Sequence, residues 1–217
     1  MDRKFNFAPG EYYHVFSRGV EKRKIFLTKG DYDRFLALLY ILNQNASFVI
    51  GNYLKSGKSL DRIFDEKREK TLVTILSYCL MPNHFHLLIR EDKENGISKA
   101  MGKILTGYSM YFNKKYDRTG PLFVKPFRAV HVNNDNHLKH LFAYIHLNCL
   151  DLCEAHWKKE GIKNHKVAES FLNKYKFSSY SNNLPIIDFE VISSVISRTP
   201  LDIREYEEWY KQFDPNE

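Results

Sequence analysis

Four stretches of the chain are rich in β-branched and aromatic residues, and they cover residues 12–18, 72–80, 84–90 and 122–132. Runs of this kind, bounded by glycine, proline or asparagine, are typical of β-strands. Met81-Pro82-Asn83 is a turn signal, so the second and third stretches are predicted to form an antiparallel hairpin. Pro126 breaks the fourth stretch and predicts an edge strand or a bulge.

Three other stretches carry apolar residues at helical spacing, and they cover residues 31–46, 97–116 and 134–153. Asn95 is the predicted cap of the second helix, and Asn134 or Asp135 is the predicted cap of the third. Residues 48–70 show no clear periodicity and are predicted to form a loop with one short helix.

The predicted order of elements is strand, helix, hairpin, helix, strand, helix. This order indicates an α/β (α+β) fold of the ferredoxin-like sandwich type, in which helices cover one face of an antiparallel sheet. We assign it to a domain of residues 1–159. The pattern weakens after Trp157, so residues 160–217 are interpreted as a helical C-terminal extension with short helices at about 188–197 and 202–212.

Charge and aromatic content narrow the class of partner. Lys and Arg total 33 against 26 Asp and Glu, which gives a formal net charge of +7, and the sequence pI is about 9.1. A basic protein favours a polyanionic partner. The 14 Tyr and 16 Phe would also allow rings to stack on bases, although aromatic residues mostly build cores.

The three cysteines, Cys79, Cys149 and Cys153, are an odd number without disulfide spacing. They predict a reducing compartment. The first ten residues contain no apolar run typical of a signal peptide, and no stretch approaches the roughly 20 apolar residues of a membrane span. We therefore expect cytoplasmic localisation and no membrane partner.

The segment Asn83-His84-Phe85-His86 opens the third predicted strand. Because side chains alternate along a strand, His84 and His86 point to one face and Phe85 points to the other. Two imidazoles one pleat apart can bind one divalent ion, but a catalytic site also needs an oxygen ligand. Two outward polar residues on a strand would produce the same pattern.

The third predicted helix contains Tyr144-Ile145-His146-Leu147-Asn148. Positions four apart lie one above the other, so Tyr144 and Asn148 share a face of this helix. Together with the histidine pair, this face offers a nucleophile and an oxygen ligand. A competing metal site on the same helix consists of His146, Cys149, Cys153 and His156. One straight helix cannot surround a zinc ion tetrahedrally, however.

These segments together resemble the HUH single-tyrosine transposases, and among them the REP-associated tyrosine transposases, an IS200-like transposase family. The resemblance runs through residues 81–89, 111–120, 144–148 and 175–180, in the order found in that family. It extends over about residues 8–181. Each segment alone is a weak signal, but the combination is specific.

The resemblance implies that His84 and His86 are the metal pair, Tyr144 the nucleophile and Asn148 the third ligand of a divalent metal ion, Mg²⁺ or Mn²⁺. It also implies a metal-dependent single-stranded DNA endonuclease and strand transferase that acts through a 5′-phosphotyrosine intermediate in DNA transposition. The expected partner is single-stranded DNA with a hairpin, bound by a monomer or a homodimer. The alternative is a catalytically silent transposase derivative that binds hairpin nucleic acid as a regulator.

Two positions depart from the family pattern. Cys149 stands where the family usually has proline, and Val124-Lys125-Pro126-Phe127-Arg128 lacks a glutamine that is common there. Neither departure touches the four expected active residues, but both leave the substrate preference less well defined. A hydrolase of small phosphoesters would not explain the high pI.

Cationic residues suited to DNA lie at the end of the first predicted strand and on or just after the second helix. The candidates are Arg18, Lys103, Lys114, Lys115, Arg118, Lys125 and Arg128. Such side chains contact phosphates without reading bases. Because most charged runs are solvated faces, the pattern indicates a surface and no single contact.

Overall fold

The computed structural model describes residues 6–124, 127–182, 184–196, 200 and 202–211. Within these residues one antiparallel sheet consists of β1 (Tyr12–Arg18), β2 (Val73–Met81), β3 (His84–Glu91) and β4 (Arg128–Val132). The order across the sheet is β2-β3-β1-β4. This order confirms the predicted ferredoxin-like α/β sandwich.

The α-helices of the described residues are α1 (Lys29–Ile41), α2 (Ile50–Lys55), α3 (Gly96–Lys115), α4 (Asp135–Leu147), α5 (Trp157–Glu160), α6 (His165–Lys174), α7 (Phe189–Val195) and α8 (Ile203–Lys211). Short 3₁₀ helices cover Val20–Lys22, Leu60–Asp65 and Asn148–Leu152. None of these helices is both long and apolar enough to span a bilayer.

Helices pack on both faces of the sheet. On one face, Phe85 of β3 contacts Phe35 of α1 with ring centroids 5.1 Å apart, and Phe35 contacts Tyr108 of α3 at 5.1 Å. On the other face, α4 packs against β2 and β3. The expected placement of helices on one face therefore holds for α1 and α3 but is wrong for α4. Since α1 and α3 occupy the first face, α4 buries its apolar side chains against the second.

Both α1 and α4 end earlier than their apolar spacing predicts. After α1 ends at Ile41, the Asn43 side chain points to the start of β2. Its oxygen accepts hydrogen bonds from the N–H groups of Leu72 (3.1 Å) and Val73 (3.0 Å), and its nitrogen donates to the Val73 carbonyl (2.8 Å). The chain after α4 tightens into a 3₁₀ helix at Asn148. The end of α1 is therefore set by contacts to β2 and not by local spacing.

The cap of α3 differs from the prediction. Asn95 makes no capping hydrogen bond through its side chain. The buried carboxylate of Glu91 accepts hydrogen bonds from the N–H groups of Gly96 (3.1 Å) and Ile97 (2.8 Å) instead. An anion at a helix N-terminus also interacts favourably with the helix dipole.

The fourth predicted strand is only partly regular. β4 starts at Arg128, while Phe123 forms an isolated bridge with Gly19, just beyond β1. The Val124 N–H also donates to the Arg18 carbonyl at 2.9 Å. Pro126, the predicted break, lies outside the described residues.

The segment beyond residue 159 packs against the sheet and against α4. α8 lies on α4, and residues 177–179 pair with the outer edge of β2 through Leu80 N–H to Phe177 O (2.9 Å) and Ser179 N–H to Tyr78 O (3.0 Å). α7 and α8 match the two predicted helices, whose predicted last residues, 197 and 212, are outside the described residues. α6 was not predicted, because only two of its residues are buried. The division at residue 159 stays a prediction.

Asp31 is fully buried and joins α1 to α3. Its carboxylate accepts hydrogen bonds from the N–H groups of Leu27 and Thr28, both at 2.8 Å. It also pairs with Lys115 Nζ at 2.7 Å and accepts from the Tyr116 hydroxyl at 2.7 Å. Burial alone would raise the pKa of Asp31, but the bonds from Lys115 and Tyr116 hold it at about 2.

We expect Asp31→Asn to lower the free energy of unfolding by about 2–3 kcal/mol near pH 7. The carboxylate stabilises the fold fully above its ordinary pKa of 3.8, and this contribution is lost as pH falls through about 2. The difference between wild type and variant should therefore shrink in acid. Urea unfolding at neutral and acidic pH measures both.

Asp33→Asn on the same helix is the matched control, because Asp33 pairs with the exposed Lys29 at 2.6 Å. It should change the stability by less than about 0.5 kcal/mol. Equal losses in the two variants would contradict the role of Asp31.

Candidate active site

β3 places His84 and His86 on the sheet face that α4 covers. Phe85 between them is fully buried on the opposite face, against α1. The two imidazole centroids are 5.0 Å apart and nearly perpendicular. The alternation predicted from the sequence is therefore the observed arrangement.

His86 is paired with a residue that sequence reasoning missed. His14 of β1 places its Nε2 2.8 Å from His86 Nδ1. Burial lowers the pKa of His14 to about 3 and that of His86 well below its usual value. Both rings are therefore neutral near pH 7, and the Nε2 atom of His86 is left for another partner.

His84 is oriented in a similar way by its neighbour in the chain. Its Nδ1 lies 2.6 Å from Asn83 Oδ1, while Asn83 Nδ2 donates to the Lys22 carbonyl at 3.3 Å. Because the amide nitrogen of Asn83 is directed to that carbonyl, its oxygen faces His84 and accepts from Nδ1. The Nε2 atom of His84 then carries a lone pair.

α4 brings Tyr144 to the histidine pair. The half-buried Tyr144 ring is 5.4 Å from the His86 ring and 5.9 Å from the His14 ring, both in edge-to-face contacts. Burial raises the pKa of Tyr144 above its usual value, and the neighbouring Asn148 amide opposes this shift. The phenol is therefore neutral near pH 7.

Asn148 follows one turn later and is fully buried. It lies close enough to His84 and Tyr144 to influence the pKa of each. Neither its amide nitrogen nor its oxygen, however, reaches hydrogen-bonding geometry with a described residue. A buried amide without partners is costly, and a ligand bound at this position would supply the missing partners. His84, His86, Tyr144 and Asn148 together are called the candidate site below.

Residues outside the histidine and tyrosine motifs also contact Tyr144. Lys158 Nζ lies 5.2 Å from the centre of the Tyr144 ring and forms an ion pair with Asp151 at 2.6 Å. Tyr210 of α8 stacks near Tyr144 at 6.2 Å, and its carbonyl bonds His140 Nδ1 at 2.9 Å. Sequence reasoning missed Lys158, because the helical pattern is already lost there.

A cleft of about 350 Å³ opens beside His84. It is lined by Phe16, Ser17, Arg18, Lys22, Asn83, His84, Val124 and Arg128. Among the described residues, no side chain forms an ion pair with Arg18, Lys22 or Arg128. We call it the arginine cleft. It brings two of the predicted DNA-binding residues, Arg18 and Arg128, to the candidate site.

The other predicted cations lie elsewhere. Lys103 donates to three carbonyls after α1, those of residues 44–46, at 2.7–3.0 Å, and Lys115 pairs with Asp31. Lys114 lines a groove between α1 and α3, and Arg118 donates to the Pro121 carbonyl at 3.3 Å. Lys125 lies outside the described residues. α3 is on the sheet face opposite the candidate site.

The competing cysteine and histidine set does not converge. Cys149 is buried while Cys153 is exposed, and His146 Nε2 is bonded to Ser179 Oγ at 2.8 Å. Within the described ranges, no group of three or more His, Cys, Asp or Glu side chains could hold a metal ion.

The family model described as "Transposase IS200 like" matches residues 11–148 of this chain. The match covers more than half of the sequence, and the chain belongs to the IS200-like transposase family, as the sequence resemblance indicated. The matched span starts beside β1 and ends at Asn148, so it includes the whole candidate site.

The solved structure of a REP-associated tyrosine transposase bound to a REP hairpin is similar to this chain. The identity is 12%, the TM-score is 0.49, and the alignment covers 93% of this chain and 90% of the other. No curated protein matches the sequence.

We expect Asn148→Ala to raise the free energy of unfolding by about 1 kcal/mol, because it removes a buried amide that has no hydrogen-bond partner among the described residues. Urea unfolding measures the change. The matched control is Asn43→Ala, which leaves the N–H groups of Leu72 and Val73 unpaired and should cost about 2–4 kcal/mol. A loss of similar size in Asn148→Ala would show that its amide is bonded within the protein.

Proposed function

We propose that this protein is a metal-dependent endonuclease and strand transferase for single-stranded DNA, with Tyr144 as its nucleophile. The observation that carries the proposal is the convergence of the candidate site. Two imidazoles whose Nδ1 atoms contact other side chains, a phenol, and a buried amide without a hydrogen-bond partner among the described residues meet at one face of the sheet. The family membership supports transposase-like chemistry.

The residues present fit a divalent metal ion, Mg²⁺ or Mn²⁺. Nε2 of His84, Nε2 of His86 and Oδ1 of Asn148 would be its protein ligands, leaving positions for the phosphate. His86 would ligate through Nε2 in the tautomer whose Nδ1–H donates to His14 Nε2, and this hydrogen bond would orient the ring. When bound, the ion would polarise the scissile phosphate.

Tyr144 would then attack phosphorus. Its oxygen forms a bond to the phosphate as the bond to the 3′ oxygen breaks; the phenol loses a proton and the 3′ oxygen gains one. The product is a 5′-phosphotyrosine and a free 3′-OH. Because the phosphoester is exchanged and not hydrolysed, the reverse step rejoins DNA without ATP. Lys158, paired with Asp151, places its Nζ 5.2 Å from the centre of the Tyr144 ring and so helps to hold that ring at the site.

Single-stranded DNA is the substrate that the geometry supports. Tyr144 lies on a helix that faces the sheet, where an extended strand can place a phosphate but a regular duplex would be held away by its complement. Arg18, Lys22 and Arg128 of the arginine cleft would contact the neighbouring phosphates. We further propose a hairpin next to the cleavage point, binding by a monomer or homodimer, and action in the cytoplasm.

Tyr144→Phe should abolish the covalent protein–DNA adduct while leaving DNA binding nearly unchanged, because only the nucleophilic oxygen is lost. The assay incubates the full chain and Mg²⁺ with labelled single-stranded oligonucleotides that carry hairpins from the flanks of its gene. Tyr210→Phe, in the same aromatic cluster, is the matched control and should still form the adduct. Perfect duplex should yield none.

Binding without an adduct in the wild type would support the catalytically silent alternative. An adduct formed by Tyr144→Phe would place the nucleophile elsewhere.

His84→Ala and His86→Ala should each weaken Mn²⁺ binding by about 100-fold or more and remove cleavage, since each deletes a ligand. Asn148→Ala should have a milder effect, because water can replace a neutral oxygen ligand. Calorimetry or Mn²⁺ paramagnetic resonance gives the affinity independently of activity. His156→Ala, which removes an exposed imidazole outside the candidate site, is the control. Cleavage by the wild type in excess EDTA would exclude a metal-dependent reaction.

A further inference from the structure

The sheet register aligns the candidate site with the arginine cleft. Arg18 of β1 is opposite His84, and Phe16 is opposite His86 on one side and Arg128 on the other. Residues directly opposite in neighbouring strands project from the same face. An aromatic ring therefore lies between the expected metal ligands and a guanidinium, on the face that also carries Tyr144.

The Phe16 ring is held by its neighbours but remains half-buried. Its centroid is 4.8 Å from that of His14 and 5.7 Å from that of His86, with interplanar angles of 31° and 28°. The rest of its surface lines the arginine cleft. The exposed part of the Phe16 ring therefore faces the same space as the Arg18 and Arg128 side chains.

The charges around Phe16 identify the kind of ligand. Arg18, Lys22 and Arg128 are exposed, whereas cations such as Lys115 and Lys158 are paired with carboxylates. Unpaired cations alone would suit any phosphate. A ring among them suits a nucleotide, since a base stacks on an aromatic side chain while its phosphates contact the cations.

We propose that Phe16 is the stacking platform of a subsite for one unpaired base next to the scissile phosphate, with Arg18 and Arg128 on the phosphates that flank this base. The proposal rests on the function proposed above and adds the position at which the protein contacts a base. Stacking tolerates any base, so the subsite requires a base to be present without specifying which one.

The test uses full-length Tyr144→Phe protein, which binds without reacting, and the oligonucleotide that the wild type cleaves. A series of oligonucleotides carries a single abasic site at successive positions around the cleavage point. The dissociation constant of each oligonucleotide is measured for the Tyr144→Phe protein and for the same protein with the added substitution Phe16→Ala. Phe16→Ala should weaken binding of the intact strand by about 5- to 150-fold. At one abasic position this penalty should vanish, because the stacking partner is already absent.

Two further variants separate stacking from folding. Phe16→Trp should keep the affinity for the intact strand. The fluorescence of 2-aminopurine placed at the identified position should be quenched when residue 16 is Phe or Trp, but not in Phe16→Ala. Val130→Ala is the matched control, since Val130 is exposed on β4 and outside the arginine cleft. It should bind every oligonucleotide like its parent.

A penalty for Phe16→Ala that is equal at every abasic position would overturn the stacking subsite, as would an unchanged affinity. In both cases adduct formation by the wild type would leave the proposed function standing. Absence of any adduct in the wild type would instead remove the proposed function, so the two failures are distinguishable.

Discussion

The alternation of side chains along β3 is the constraint on which the rest of the structure depends. Phe85 enters the core under α1, and this contact forces His84 and His86 onto the opposite face. A shift of one residue in the pairing of β3 would place both imidazoles under α1 and Phe85 under α4. Packing of the hydrophobic core on one face thus fixes the direction of the two imidazoles on the other. α4 covers that second face and brings Tyr144 to His84 and His86.

The polar groups of the candidate site oppose stability. Burial keeps His14 and His86 neutral by lowering the pKa of each, and Asn148 leaves both polar atoms of its amide without a partner among the described residues. Such groups persist because well-bonded ones nearby compensate. Asn43, Glu91 and Asp31 are equally buried but fully satisfied by backbone or lysine donors. Buried polar groups with partners stabilise the fold, whereas the Asn148 amide would gain partners only from a bound ligand.

The segment beyond residue 159 stabilises the same arrangement from outside. Residues 177–179 pair with the open edge of β2, and Ser179 Oγ also bonds His146 of α4. α8 then adds Tyr210 beside Tyr144 and His140. An exposed strand edge is a liability in a sheet, and here the segment that covers it also holds the helix that carries Tyr144. The family match ends at residue 148, so this support comes from a part of the chain outside it.

Local sequence patterns were sufficient to predict the strands and the main helices. They also predicted that His84 shares a face with His86 and that Tyr144 shares a face with Asn148, because these relations depend on periods of two and about four residues within one element. Local patterns missed the early end of α1, the cap of α3 and the position of α4, since each is set by a neighbouring element. They also missed His14, Phe16 and Lys158 and did not distinguish Arg128 from Lys103. Those roles depend on which strands are neighbours and in what register, and hydrogen bonding between distant segments decides both.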